Sequence, residues 1–408
     1  MMRCLIILLA AAGVIACSPA NGHKNLSITE RGFSTAERQV SAQLEMLVTQ
    51  EEFPRTVKDG ALCCTRMTDW TEGFFPGCLW YLYEHTGEDR WKEAAVCWTE
   101  CLEPLKKYTG GHDIGFLTMS SFGNAFRLTG EKKYSDVLAD AANSLCTRFN
   151  RTTGCIKSWN YRKSWTGEEW FFPVIINNMM NLELLYFASE ATRNPEYARI
   201  ADSHAEMTMK HHFRSDYSCF QVVNYDQDTG KIISKGSYHG FSDNSTWARG
   251  QAWAIYGFTM AYRESGRKDF LETAERAADF WLGHPNLPED GIPYWDFNAG
   301  QQGYAPDWNY DPLKYKDVPR DASAAAIAAS AFLELSMYAS DGPKYFRAGE
   351  RILESLSSPE YLAEPGTNGR FILKHSVGSM PEGEEVDVPL VYADYYYLEA
   401  LTRYEKLK

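Results

Sequence analysis

The sequence predicts an all-α fold, a closed toroid of about six helix pairs, and three observations carry that reading. A phrase returns along the chain, first as Thr86-Gly87-Glu88-Asp89-Arg90-Trp91 and then as Thr129-Gly130-Glu131-Lys132-Lys133-Tyr134. Weaker echoes follow at Arg193-Asn194-Pro195-Glu196-Tyr197, Ser265-Gly266-Arg267-Lys268-Asp269-Phe270 and Asp341-Gly342-Pro343-Lys344-Tyr345-Phe346. Apolar residues at helical spacing flank the phrases, as in Leu79-Trp80-Leu82-Tyr83 before the first and Val137-Leu138-Ala141-Leu145 after the second. The interval between phrases grows along the chain, which excludes a uniform solenoid.

Each phrase has the physics of an αα-hairpin corner. Gly takes the left-handed cap of the first helix, a polar pair makes the turn, and an aromatic pins the start of the second helix. The stretch around Tyr392–Tyr404 is a further helix that would pair with an earlier one. Helix pairs repeated this often with unequal loops close into inner and outer rings; an open superhelical stack is the alternative. No Pro- or Ser-rich linker divides the chain after about residue 30, so 32–408 reads as one domain.

Composition bounds the function. The 408 residues are 44% hydrophobic and 23% charged, enough to bury a large core, which excludes global disorder. With 41 basic against 54 acidic residues the net charge is −13, which argues against non-specific nucleic-acid binding but not against an anionic small substrate. The 12 Trp, 24 Tyr and 21 Phe fit either ordinary core and barrel packing or a set of sugar-stacking platforms.

The first residues stand outside the fold. Arg3, the apolar run Leu5 to Ala12 and Val14-Ile15-Ala16-Cys17 read as a secretory signal over 1–16. The last four resemble the bacterial lipobox, so Cys17 is expected to be acylated, with 17–31 a flexible tether and the protein periplasmic or on the outer membrane. Eight cysteines follow: Cys63, Cys64, Cys78, Cys97, Cys101, Cys146, Cys155 and Cys219. None has His partners at zinc-site spacing, so we expect no metal and mostly small buried hydrophobes.

Long loops between the hairpins, at 157–172, 222–244, 286–321 and 365–385, are rich in Gly, Pro, Trp and Asp. Loops of that length in a compact helical domain are functional or disordered, and these hold too many aromatics for disorder. Three segments concentrate polar groups amid aromatics: His112-Asp113-Ile114-Gly115-Phe116, Pro173-Val174-Ile175-Ile176-Asn177-Asn178-Met179-Met180-Asn181-Leu182, and Ser242-Asp243-Asn244-Ser245-Thr246-Trp247-Ala248-Arg249-Gly250-Gln251-Ala252-Trp253. Asp113 ahead of a helix is first of all an N-cap candidate. Asn177 and Asn178 bring two amides into an apolar run, where each needs a partner. Trp247, Arg249 and Trp253 fit either a core with a capping Arg or a pocket for a carboxylated sugar.

These segments, with Trp70-Thr71-Glu72-Gly73-Phe74-Phe75-Pro76-Gly77 and Glu385-Val386-Asp387-Val388-Pro389-Leu390-Val391-Tyr392-Ala393-Asp394-Tyr395-Tyr396, resemble the unsaturated glucuronyl hydrolases, glycoside hydrolase family 88, from about Gly32 to the C-terminus. The resemblance implies an (α/α)6 barrel with no cofactor. It implies removal of a 4,5-unsaturated glucuronic acid from the non-reducing end of lyase-generated glycosaminoglycan oligosaccharides. In such enzymes the enol-ether double bond is hydrated, a proton going to C4 and water to C5, instead of attack at the anomeric carbon. It also implies roles by position. Asp113 matches one family carboxylate, and Asn177 falls where relatives carry the second, usually credited with moving the proton. Trp70, His112, Trp159, Trp247, Arg249 and Trp253 match residues that hold or stack on the uronate. Gln221 and His239 fall near positions that are usually His and Gln, and His375-Ser376 resembles a segment lining the sugar site.

The departure at Asn177 has a chemical consequence, because an amide has no proton to give or take at working pH. Three readings stay open: a disabled variant, a member in which another group such as Asp113 or His239 serves, or a silent sugar-binding lipoprotein. A related hydrolase of unsaturated rhamnogalacturonyl units is the neighbouring activity, and a protein-interaction scaffold is a third class. Partners are accordingly unsaturated uronic-acid oligosaccharides and, through Cys17, a membrane; the chain is expected as a monomer or weak dimer.

Overall fold

The five corners organise the molecule as the repeated phrase predicts. In the computed structural model, which describes residues 26–47, 52–311, 314 and 317–408, Gly87, Gly130 and Gly266 close their helices with φ of 70°, 68° and 69°. Each donates its backbone N–H to the carbonyl four residues back. At the third corner Arg193 takes this left-handed position itself, at φ 57°. The fifth departs from the rule: Gly342 starts the second helix, and Asp341 caps it by accepting from the Lys344 N–H. The pinning aromatics Trp91, Tyr134, Tyr197, Phe270 and Tyr345 are all buried.

The outer ring consists of helices Ile28–Met46, Asp89–Cys101, Lys132–Cys146, Pro195–His211, Lys268–Gly283 and Gly342–Leu356. These bury one stripe each, as amphipathic surface helices do. The inner ring runs Phe74–Thr86, Ile114–Thr129 (through a π-type turn at Met119–Gly123), Leu182–Thr192, Ala248–Ser265, Ala322–Leu335 and Val391–Leu407. Inner helices are buried almost all round; every residue of the Ala- and Ser-rich Ala322–Leu335 is buried. Each inner helix packs on the next, and Val391–Leu407 returns to Phe74–Thr86 and to the first outer helix. The chain ends therefore supply the sixth pair and close an (α/α)6 barrel.

That first helix corrects a boundary. Ser27 and Glu30 form a reciprocal capping box, so the helix starts at Ile28, inside the stretch expected to be a tether. The signal segment and Cys17 lie outside the described residues.

Because inner helices alternate with outer ones, all six inner helices point the same way. Short corners gather at their C-terminal end and the long loops at their N-terminal end. The corner end of the bore holds a half-buried ion network around the buried Glu334: Arg263 pairs with Glu334 at 2.6 Å and with Glu183, and Arg403 pairs with Glu334 at 2.7 Å. The loop end carries short antiparallel hairpins, among them Arg162–Lys163 with Glu169–Trp170 and Ser376–Ser379 with Glu384–Val388. No described helix is long and apolar enough to cross a membrane, and all eight described cysteines are free thiols.

Candidate active site

Asp113 occupies the N-cap position of an inner helix yet makes no capping hydrogen bond. Its side chain is 25% exposed at the floor of the loop-end recess. Burial pushes its carboxyl up from 3.8 to about 7, the negative charge of Asp69 adds to the rise, and Arg148 opposes it. The capping explanation therefore fails, and a carboxyl free to exchange a proton near neutrality remains.

Around it lies an amide–imidazole lattice. Asn181 Nδ2 lies 3.3 Å from both His112 Nδ1 and Asn178 Oδ1, while Asn181 Oδ1 accepts from the Phe116 N–H. Gly115 permits this approach, since a Cβ there would stand 2.5 Å from Asn181 Cα. With Nδ1 accepting, His112 carries its proton on Nε2, 3.4 Å from Asp113 Oδ1. Burial and the Arg148 charge push the imidazole down to about 3, so it is neutral. Asn178 donates to the Ile156 carbonyl at 2.8 Å, which settles one of the two consecutive amides. Asn177 is the other case: its Oδ1 is buried without a partner.

Arg249 sits in the first turn of the inner helix Ala248–Ser265 and is buried. Its guanidinium lies 4.5 Å from the Trp247 ring centroid, as the sequence spacing suggested. It is held by Asp321 Oδ2 at 3.3 Å, the Gly378 carbonyl at 2.7 Å and the Val377 carbonyl, leaving Nε unpaired. Arg249 thus clamps the Ser376–Val388 hairpin to the barrel, and two N–H groups, Nε–H and one on Nη2, remain unclaimed by that clamp. Asp321, missed by the sequence reading, also caps its own helix through Ser323 and accepts from Val377. Ser376 is fully buried with its Oγ unpartnered, whereas His375 lies at the surface, 2.6 Å from Asp387.

Gln221 organises the opposite wall. Its Oε1 accepts from Ser237 Oγ and from the N–H groups of Tyr238 and His239, at 3.1, 2.7 and 2.7 Å. Those three donors fix the amide orientation, so Nε2 donates to His239 Nδ1 and the imidazole proton sits on Nε2. Burial and the charges of Arg249 and Arg162 push His239 down to about 3. His239 is held as a neutral imidazole whose proton sits on Nε2. It contacts Trp247 at 5.0 Å and Trp159 at 6.2 Å between ring centroids. Trp70 packs among Phe74, Phe116 and Tyr392 with part of its ring exposed. Trp253 is corrected: it is 0% exposed, wedged between Phe116 and Tyr396, and so belongs to the core instead of forming a sugar platform. Its position one turn and a half inside the helix places it below the recess.

Two acidic groups were given no role by the sequence, Asp69 just before the quoted Trp70 motif and Glu72 within it. Asp69 accepts from Thr71 N–H and Oγ at 3.0 and 2.6 Å and pairs with Arg55, which also binds Glu385 at 2.5 Å. Glu72 is fully buried with Oε1 unpartnered, and burial, with Asp69 adding, pushes it up to about 7. Arg148 donates to the carbonyls of Lys157, Thr109 and Ser158 and to Asn160. No group of His, Cys, Asp and Glu suited to a metal occurs among the described residues.

Residues 48–292 match the family model described as Glycosyl Hydrolase Family 88. An unsaturated glucuronyl hydrolase of Formosa agariphila is 43% identical over 378 residues, covering 92% of this chain and 90% of that protein. The crystal structure of an unsaturated glucuronyl hydrolase specific for heparin superposes with a TM-score of 0.86 at 44% identity, covering 93% and 97% of the two chains. The glycosaminoglycan-degrading enzyme of Bacillus sp. GL1 gives 0.82 at 30% identity, with 93% and 97% covered. With the hairpin corners and the closed inner ring agreeing, the chain belongs to glycosyl hydrolase family 88, the unsaturated glucuronyl hydrolases.

Proposed function

We propose that this protein releases the 4,5-unsaturated glucuronic acid from the non-reducing end of glycosaminoglycan fragments left by polysaccharide lyases, and that Asp113 moves both protons. The observation that carries this is the uncapped Asp113 carboxyl with its pKa near 7. Protonated Asp113 gives its proton to C4, positive charge develops at C5 and the ring oxygen, and a water adds to C5. That water returns a proton to the Asp113 carboxylate, so the catalyst is regenerated. The hemiketal formed at C5 then opens by breaking the C5–ring-oxygen bond, and the hemiacetal left at C1 expels the next sugar.

The other residues support this as holders. His112 and His239 present neutral Nε2–H donors, Trp159 and Trp247 offer faces or edges to the sugar, and Arg249 contributes its unclaimed N–H groups to the uronate. Six inner-helix N-termini face the same recess, which favours an anionic ligand. Asn177 acts here as a polar contact and not as an acid. Following the loss of absorbance of the conjugated acid over a panel of lyase digests tests the reading. Turnover of glycosaminoglycan disaccharides supports it. Turnover of unsaturated rhamnogalacturonyl units alone moves the substrate to pectin, and saturable binding without turnover makes the protein a silent sugar binder. Export and acylation at Cys17 belong to the same proposal, tested by labelled palmitate incorporation that Cys17→Ala abolishes.

A further inference from the structure

Arg55 joins three parts of the loop end through one guanidinium. It breaks the register of the hairpin Phe53–Lys58/Ala61–Thr65, where Pro54 faces Cys64 and Thr56 faces Cys63. It therefore stands on a bulge, which turns its side chain out of the ladder. Nε and Nη2 donate to the two oxygens of Glu385 at 2.5 and 3.1 Å, and Nη1 pairs with Asp69. Glu385 belongs to the Ser376–Val388 hairpin and holds φ at 54°, a left-handed conformation that a side chain seldom adopts without support. Its carboxylate lies over Gly378, where any Cβ would collide with it, and the Gly378 carbonyl is one that Arg249 holds. The side chains of Arg55, Asp69 and Glu385 are 22%, 23% and 13% exposed, so the bridge is largely shielded from water.

Asp69 is also the negative charge that bears on Asp113. Thr71 holds its Oδ1 and Arg55 its Oδ2, so both oxygens of the carboxylate are fixed. The opposing charge on Asp113 comes from Arg148, and the neutral His112 lies beside it. The segment Ile176–Asn181, packed on the Asp113 helix, brings amides and no charge. Charges on the other neighbouring elements are paired: Glu183 with Arg263, Lys106 with Glu103 and Asp140, Lys132 with Asp136, and Lys133 with Glu100. Lys107 and Glu190 on those elements are exposed. We propose that Arg55 is a positioning residue of the active site: it fixes and partly neutralises Asp69, and through Glu385 it ties that carboxylate to the hairpin whose other strand Arg249 holds. One side chain thereby sets the field at Asp113 and the place of the Ser376–Val388 hairpin. The part played at Asp113 rests on the hydrolase reading above.

The test compares wild type, Arg55→Gln, Arg55→Lys and Glu385→Gln in two ways. One is the pH dependence of kcat/KM on an unsaturated disaccharide; the other is hydrogen exchange of 376–388 read by mass spectrometry. Arg55→Gln leaves Asp69 uncompensated, so the alkaline limb should move up by about half a pH unit or more, and adding Asp69→Asn should bring it back down. Arg55→Lys keeps the charge and loses the fork, so the limb should stay near that of wild type while exchange in 376–388 rises. Glu385→Gln breaks the bridge at the hairpin and leaves Arg55 on Asp69. Exchange in 376–388 should then rise about tenfold or more, with no upward move of the limb. An Arg55→Gln limb that stays or moves down overturns the assignment, as does unchanged exchange in both Arg55→Gln and Glu385→Gln. A wild type that turns over no unsaturated disaccharide overturns the hydrolase reading instead, and the exchange still decides the tie to the hairpin.

Discussion

Asp113 is where a single perturbation says most. An ordinary aspartic acid at 3.8 would be protonated in roughly one molecule in 1,600 at pH 7, whereas a carboxyl at about 7 is protonated in about half. The recess therefore enriches the proton-donating form by roughly 800-fold at neutrality. With the protonated form as reactant, kcat/KM should be flat below pH 6 and fall about tenfold per unit above pH 7.5. Asp113→Asn should lower kcat by about 10³-fold or more while KM for an unsaturated disaccharide moves little. Asp69→Asn removes the negative charge that adds to the rise, so it should shift the alkaline limb to lower pH. The assay is initial-rate loss of absorbance from pH 5 to 9. A profile without an alkaline limb, or an Asp113→Asn protein retaining a tenth of wild-type rate, refutes the argument.

Three further outcomes follow from the same geometry. Asn177→Asp should leave kcat at neutral pH within about tenfold of wild type, measured on the same disaccharide, because Asp113 already supplies the proton; a gain of 10³-fold would show Asn177 to be a lost catalyst. Arg249→Ala should raise KM and also lower Tm, since it leaves Asp321 buried and unpaired at a cost of about 3 kcal/mol; a raised KM with unchanged Tm would deny the clamp. Glu72 has its folded pKa raised to about 7 from 4.5, so its contribution to stability is full below about pH 4.5 and is lost as pH climbs to about 7. Glu72→Gln should therefore raise Tm relative to wild type more at pH 8 than at pH 5, by up to about 3 kcal/mol in stability, and an equal difference at both pH values counts against the burial argument.

Much of the barrel was legible because its rule is local. A glycine in the left-handed region ends a helix whatever lies around it, so Gly87, Gly130 and Gly266 announced three corners unaided. Gly342 misled because its role is a close approach, with a Cβ there falling 2.3 Å from the Ser336 carbonyl oxygen. Gly73 and Gly77 in the Trp70 motif serve the same end, each leaving room for backbone of the neighbouring inner segment. The site was legible as a set of segments but not as a division of labour. Trp247 and Trp253 look alike at helical spacing, yet one contacts His239 and Arg249 at the recess while the other fills the core. Arg249 and Arg162 likewise differ only in what the fold brings to them, carbonyls and Asp321 for one and two aromatic rings for the other. Asp321 and Val377 meet across dozens of residues of chain, and no spacing encodes that.

The central claim is that Asp113 protonates carbon, not a glycosidic oxygen, and isotope incorporation reads this directly. An unsaturated glycosaminoglycan disaccharide turned over in D2O and quenched early is analysed by mass spectrometry and NMR. Hydration led by Asp113 predicts one carbon-bound deuterium, at C4 of the released uronate. Release of the second sugar with no deuterium on carbon, and with the double bond intact in the uronate product, would contradict it.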